Sequence, residues 1–202
     1  MIAIIDYGMG NIHSVRKALI LMGAETLVTN KPEDIARCDK LILPGVGAFG
    51  DALKDMDRQG LIKAVRSHIE KKKVFLGICL GLQLLFEKSE ESPGSKGLGV
   101  FKGTVKRFSS SSGLKVPHMG WNQVQCVKSA CPLFKGIDNN SFVYFCHSFY
   151  AEPAQKEIIA STTGYGADFA SILWQDTIFA LQFHPEKSQG VGLQMIRNFV
   201  EL

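Results

Sequence analysis

The chain has 202 residues, 46% hydrophobic and 21% charged, which suits one sizeable core and excludes a disordered or fibrous protein. Its formal net charge of +4 comes with no basic run beyond Lys71-Lys72-Lys73, too little for the stripe that grips a nucleic acid, and those lysines suit the negative end of a helix. The N-terminus has no signal-peptide pattern, no run of about 18 apolar residues offers a membrane span, and 5 cysteines without a CxxC pair argue against a disulfide framework, so a reducing cytoplasm is expected.

Strands and helices alternate in the first half. Ile2–Asp6 reads as a short buried strand and Tyr7–Asn11 as a turn. Ile12, Val15, Ala18, Leu19 and Met22 recur at helical spacing, with Gly23 as the C-terminal cap. A strand is expected at Thr26–Thr29, a short helix opened by Pro32, and a third strand at Lys40–Leu43 that runs into Pro44-Gly45-Val46-Gly47. One helical pattern then carries Leu53, Met56, Leu61, Ala64, Val65 and Ile69. Val74–Ile78 is a fourth strand and Leu80–Glu87 a helix directly behind it. Such alternation implies right-handed βαβ units and a mostly parallel sheet.

The second half changes character. Ser109–Ser112 with Gly113 forms a low-complexity, exposed loop. Gln123–Val127, Phe142–Tyr150, Ile158–Thr162, Ala170–Trp174 and Ile178–Phe183 read as antiparallel strands between turn residues, and Gly190–Glu201 as a closing helix. The expected architecture is a single domain over 1–202: a three-layer α/β sandwich with a mostly parallel, flavodoxin-like central sheet and an antiparallel β extension. Such sheets bind ligands at the carboxyl ends of their strands, where Gly8–Asn11, Pro44–Gly47 and Cys79 all fall.

Gly77-Ile78-Cys79-Leu80-Gly81 is a G-x-C-x-G pentad between strand and helix, the cysteine counterpart of a nucleophile elbow. A sharp turn there needs small residues two positions either side of the nucleophile, and glycine supplies them. A helix starting at Leu80 would aim its positive end at the sulfur and favour the reactive thiolate, while N–H groups at its start could hold an oxyanion. Alone, the pentad fits a buried structural cysteine equally well. Cys38, Cys126, Cys131 and Cys146 lack such surroundings and read as structural.

A cysteine hydrolase also needs a base and a group that orients it. His184-Pro185-Glu186 follows an apolar strand, and residues i and i+2 of an extended segment share a face, so Glu186 can reach the His184 ring. His147, at the end of another strand, is the rival base but has no carboxylate two residues away. The two glycines of Pro44–Gly47 let a backbone N–H turn toward the sulfur, although an ordinary turn would look the same. Gly8-Met9-Gly10 fails as a dinucleotide fingerprint, because His13 stands where a third small residue belongs. No metal-ligand spacing appears among the histidines and cysteines, and no cofactor is expected.

With these pieces assembled, the whole chain resembles the class-I, triad-type glutamine amidotransferases. Phe75–Gln83 is similar to the family's nucleophile segment and Gln182–Glu186 to its His/Glu segment. Asp6–Asn11, Pro44–Gly50 and Lys115–Asn122 resemble the branch that serves histidine biosynthesis. The resemblance implies a glutaminase whose ammonia goes to a (β/α)8-barrel cyclase in a heterodimer; a paralogue feeding another synthase, such as one amidating a surface sugar, would look much alike. It implies Cys79 as nucleophile, His184 as acid and base, and Glu186 as its orienting group. Val46 and Leu80 would offer oxyanion N–H groups. Gly47, Gln83, Glu91, His147, Ser148 and Phe149 would cradle L-glutamine. Asn11, Pro117, His118, Met119, Trp121 and Lys187 would form the exposed face toward the cyclase. Phe149 departs from relatives that carry tyrosine there.

Overall fold

The computed structural model describes residues 1–109 and 113–202; most of the expected Ser109–Ser112 loop lies outside the described residues. Strands β1 (Ile2–Ile5), β2 (Thr26–Thr29), β3 (Lys40–Gly45) and β4 (Val74–Cys79) pair in parallel, in the order β2-β1-β3-β4. β12 (Ile178–Leu181) occupies the fifth place, parallel to β4, which completes the flavodoxin-like order. On its other side β12 pairs antiparallel with β11 (Asp168–Gln175), so the strand expected to be antiparallel is the seam between the two kinds of sheet. β10 (Ile159–Gly164), β7 (His118–Cys126) and β8 (Ser141–His147) extend the sheet to nine strands, all antiparallel.

Alternation along β1 shows how the layers arise. Ile2 and Ile4 face the cluster holding Val15, Ala18 and Leu19 of α1 (Ile12–Leu21) and Met195, Ile196 and Phe199 of α6 (Gln189–Glu201). Ala3 and Ile5 face Ile35 of α2 (Pro32–Arg37), Met56 of α3 (Phe49–Arg58), and Leu61 and Val65 of α4 (Leu61–Glu70). Each fully buried Ile, Leu or Phe on these faces contributes about 1.5–3 kcal/mol.

Four expectations need correction. The single helical pattern between Leu53 and Ile69 is two helices, because Gly60 adopts the left-handed conformation (φ 69°) and ends the first. The helix behind Cys79 is one turn, α5 (Leu80–Gln83). It stops because the carbonyls of Leu84 and Leu85 accept N–H groups of Leu98, Val100 and Phe101 rather than of a further helical turn. Phe142–Tyr150 is not one strand: β8 ends at His147 and β9 (Phe149–Pro153) enters another sheet. That second sheet, β5-β6-β9 with β5 (Phe86–Ser89) and β6 (Phe101–Arg107), contains two strands the sequence did not reveal. No helix among the described residues is long and apolar enough to cross a membrane.

Candidate active site

Cys79 ends β4 with φ 55° and ψ −107°, a strained backbone for a residue with a side chain. The turn is possible only because its neighbours are glycines. A Cβ on Gly77 would lie 2.8 Å from the Gly81 carbonyl oxygen, and one on Gly81 would run into the Leu43 carbonyl oxygen. The elbow is therefore clamped against β3. Leu80 opens α5, where the first backbone N–H groups have no helical acceptor. So short a helix carries little dipole, which removes much of the electrostatic help expected from it.

That help comes from His184 instead. The β4–β12 pairing sets Leu181 beside Ile78, and the chain beyond Leu181 brings His184 to Cys79. Its Nδ1 lies 2.9 Å from Glu186 Oε1, and both side chains are buried. Burial pulls the imidazole's pKa down, but the neighbouring Cys79 sulfur and the Glu186 carboxylate outweigh it and leave the group well above its ordinary value. Ser188 fixes the segment: its hydroxyl donates to the His184 carbonyl at 2.7 Å and accepts the Tyr144 N–H at 2.9 Å. Glu186 Oε2 is buried without a partner, and the Asn11 amide reaches Oε1 at 3.4 Å.

His147, the rival base, is committed elsewhere. Its Nδ1 donates to the Phe149 carbonyl at 2.8 Å and its Nε2 accepts from His118 Nδ1 at 3.0 Å. The Asn122 amide donates to His118 Nε2 at 3.2 Å, which fixes both tautomers. Burial pushes His118 down to about 4 and His147 to about 3, so both rings are neutral. A ring with both nitrogens engaged takes no proton from Cys79.

A cavity of about 300 Å³ opens over the cysteine. It is lined by Val46, Gly47, Cys79, Leu80, Gln83, Glu91, His147, Ser148, Phe149 and His184. Pro117 and Lys187 stand in the same lining. Glu91 also accepts the Phe49 N–H at 2.7 Å, tying the start of α3 to this wall. Gly47 holds φ 92°, and a Cβ there would meet Met9 at 2.6 Å. Around the cavity, Pro117, Met119, Trp121 and Lys187 are exposed and Asn11 is half-buried. His118 is buried, contrary to its expected place on that face, because alternation along β7 turns it inward between exposed neighbours. Lys187 and Trp121 both pack on Tyr144, with Nζ 5.7 Å from the ring centre and a T-shaped ring contact at 6.1 Å.

Residues not singled out from sequence complete the site. Gln182 is fully buried, with Nε2 3.8 Å from Cys79 Sγ. Cys146 lines the cavity and Ser188 holds the His184 backbone. Gln182 was legible in principle, since it stands two residues before His184 and so shares its face.

A sulfur on a strained elbow, an imidazole beside it and a buried carboxylate behind form the arrangement that a cysteine hydrolase of the triad type requires. The class-I glutamine amidotransferase family model matches residues 3–202, and the chain belongs to that family. Within it the chain falls among the glutaminase subunits, named HisH, of imidazole glycerol phosphate synthase in histidine biosynthesis. It is 50% identical over 200 residues to the HisH subunit of Acinetobacter baylyi, covering 99% of this chain and 97% of that one. It is 52% identical over 205 residues to HisH 1 of Methanococcus maripaludis, covering 100% of both. Among solved structures, one described as glutamine amidotransferase aligns with a TM-score of 0.76 at 20% identity, covering 98% of this chain and 97% of that one. PurLQS from Thermotoga maritima aligns with a TM-score of 0.74 at 18% identity, covering 99% and 95%. At these identities the two structures speak for the fold.

Proposed function

We propose that the chain acts over 1–202 as one cytoplasmic glutaminase unit. It hydrolyses L-glutamine to glutamate and ammonia and passes the ammonia to a barrel cyclase in a heterodimer. The cyclase uses it to form imidazole glycerol phosphate and an aminoimidazole carboxamide ribotide. The observation that carries this reading is His184, held between the Cys79 sulfur and Glu186 at the wall of a cavity of amino-acid size.

The Cys79 sulfur attacks the side-chain amide carbon of glutamine. The oxygen that becomes negative is held by the N–H groups of Leu80 and Val46. His184 gives a proton to the nitrogen as the C–N bond breaks, and ammonia leaves a thioester on Cys79. His184 then takes a proton from water, which attacks the thioester carbon, releases glutamate and restores the sulfur. Glu186 orients the ring and balances its charge throughout. Gln83, Glu91, Gly47, His147, Ser148 and Phe149 shape the glutamine site. Asn11, Pro117, Met119, Trp121 and Lys187 face the cyclase, so ammonia would emerge beneath the docked partner. Phe149 has no hydroxyl to offer, while its backbone carbonyl accepts from Gln83 and His147 and so holds two of these residues in place.

Glutamate release from glutamine tests this, measured with and without the barrel cyclase and its ribonucleotide ligand, with Cys79→Ala as control. Activity that needs the liganded complex and vanishes in the variant supports it. A folded chain that stays silent in that complex refutes the assignment to this synthase.

A further inference from the structure

Three amides form a buried chain that ends on the nucleophile. Gln83 Nε2 donates to the Phe149 carbonyl at 2.9 Å and to Gln182 Oε1 at 3.2 Å. Gln182 Nε2 in turn lies 3.8 Å from Cys79 Sγ. Gln83 is 4% exposed and Gln182 fully buried, so water does not compete for these groups. The chain has a fixed direction. A backbone carbonyl can only accept, so Gln83 turns its NH2 group inward and spends its second N–H on Gln182. That bond turns the Gln182 oxygen toward Gln83, which leaves its NH2 group facing the sulfur.

From this polarity we infer that Gln182 is a positioning residue for Cys79. It offers the sulfur a donor and withholds an acceptor. A thiolate accepts that N–H, and hydrogen bonding to the charged form favours it. A neutral S–H finds no acceptor on the Gln182 side and can give its proton only to His184. The same contact holds the sulfur at one rotamer above the elbow, where the strained backbone aims it into the cavity. Phe149 thus acts on the nucleophile through its carbonyl, two side chains away. The inference rests on Cys79 being the nucleophile of the reaction proposed above.

Gln182→Met keeps the volume and removes the donor. Full-length wild type and Q182M are treated with iodoacetamide across about pH 5 to 9, and carboxamidomethylation of Cys79 is followed by peptide mass spectrometry beside the melting temperature. In Q182M the rate at neutral pH is expected to fall about fivefold, the effect of losing one long charge-assisted hydrogen bond, and the pH profile to move upward. A folded Q182M with the wild-type profile overturns the inference. Should Q182M not fold, Gln83→Met decides: it frees the Gln182 amide to turn its oxygen to the sulfur, so the profile must move the same way, and an unmoved profile overturns the inference. The readout uses neither glutamine nor synthase. Failure of glutamate release would therefore strike the functional reading alone.

Discussion

Two neutral imidazoles buried in contact make the fold sensitive to mild acid. His118 and His147 face each other across β7 and β8, and Phe145 and Tyr165 stack on His118. In the unfolded chain each titrates near 6.5; in the fold burial holds them at about 4 and about 3. Because the folded values are depressed, the unfolded state binds more protons below pH 6.5, and stability is lost as the pH falls through that value. At pH 5 the solution is about 1.5 units below the value of the unfolded rings, so each costs the fold about 2 kcal/mol, about 4 kcal/mol together. His68, also lowered by burial, adds to the same slope. His184 is shifted the other way; its contribution is complete below pH 6.5 and fades only as pH rises, so it is constant on the acid side. Urea denaturation at pH 7.5 and pH 5 reads the difference. His118→Phe keeps the ring stack, removes one titrating group and should reduce the loss by about 2 kcal/mol. Stability that is flat across this range, or an unchanged loss in the variant, refutes the reasoning.

Other outcomes follow from the site. Glu186→Gln keeps the shape and removes the charge that supports imidazolium, so kcat for glutamate release should fall by at least about a hundredfold with little change in KM. Gly81→Ala drives a methyl into the Leu43 carbonyl, and thermal denaturation should show a loss of more than about 3 kcal/mol, with the activity gone. Trp121→Ala should weaken cyclase binding by about 2 kcal/mol in titration calorimetry and leave the melting temperature of the free chain nearly unchanged, since the residue is 46% exposed.

Much of the fold was legible because its signals are local. The runs at Ile2–Ile5 and Thr26–Thr29, Pro32 at a helix start and the apolar spacing of α1 each contain their own instructions. What could not be read depends on distant partners. Nothing in Leu84-Leu85 says that their carbonyls belong to Leu98, Val100 and Phe101, so the local pattern predicts a longer helix. β5 shows no alternation, only buried ends around two exposed residues, and β6 is interrupted by Gly103, whose missing side chain makes room for the Glu152 carbonyl. The break at Ser148 follows from its carbonyl accepting the Phe108 N–H, forty residues away in sequence. At the site, Cys79, His184 and Glu186 were marked by motif and spacing. His118 was misplaced because a motif names a residue without saying which face of the strand it takes.

The seam at β12 also sets the order in which the site can be assembled. Residue 79 is translated early and residue 184 near the end, yet the two meet only when β12 slots between β4 and β11. A nascent chain still lacking β12 carries Cys79 without the His184 and Glu186 that stand beside it in the folded protein. The candidate site is thus completed together with the strand that joins the two halves of the sheet, and a chain cut short before that strand lacks two of the site's three groups.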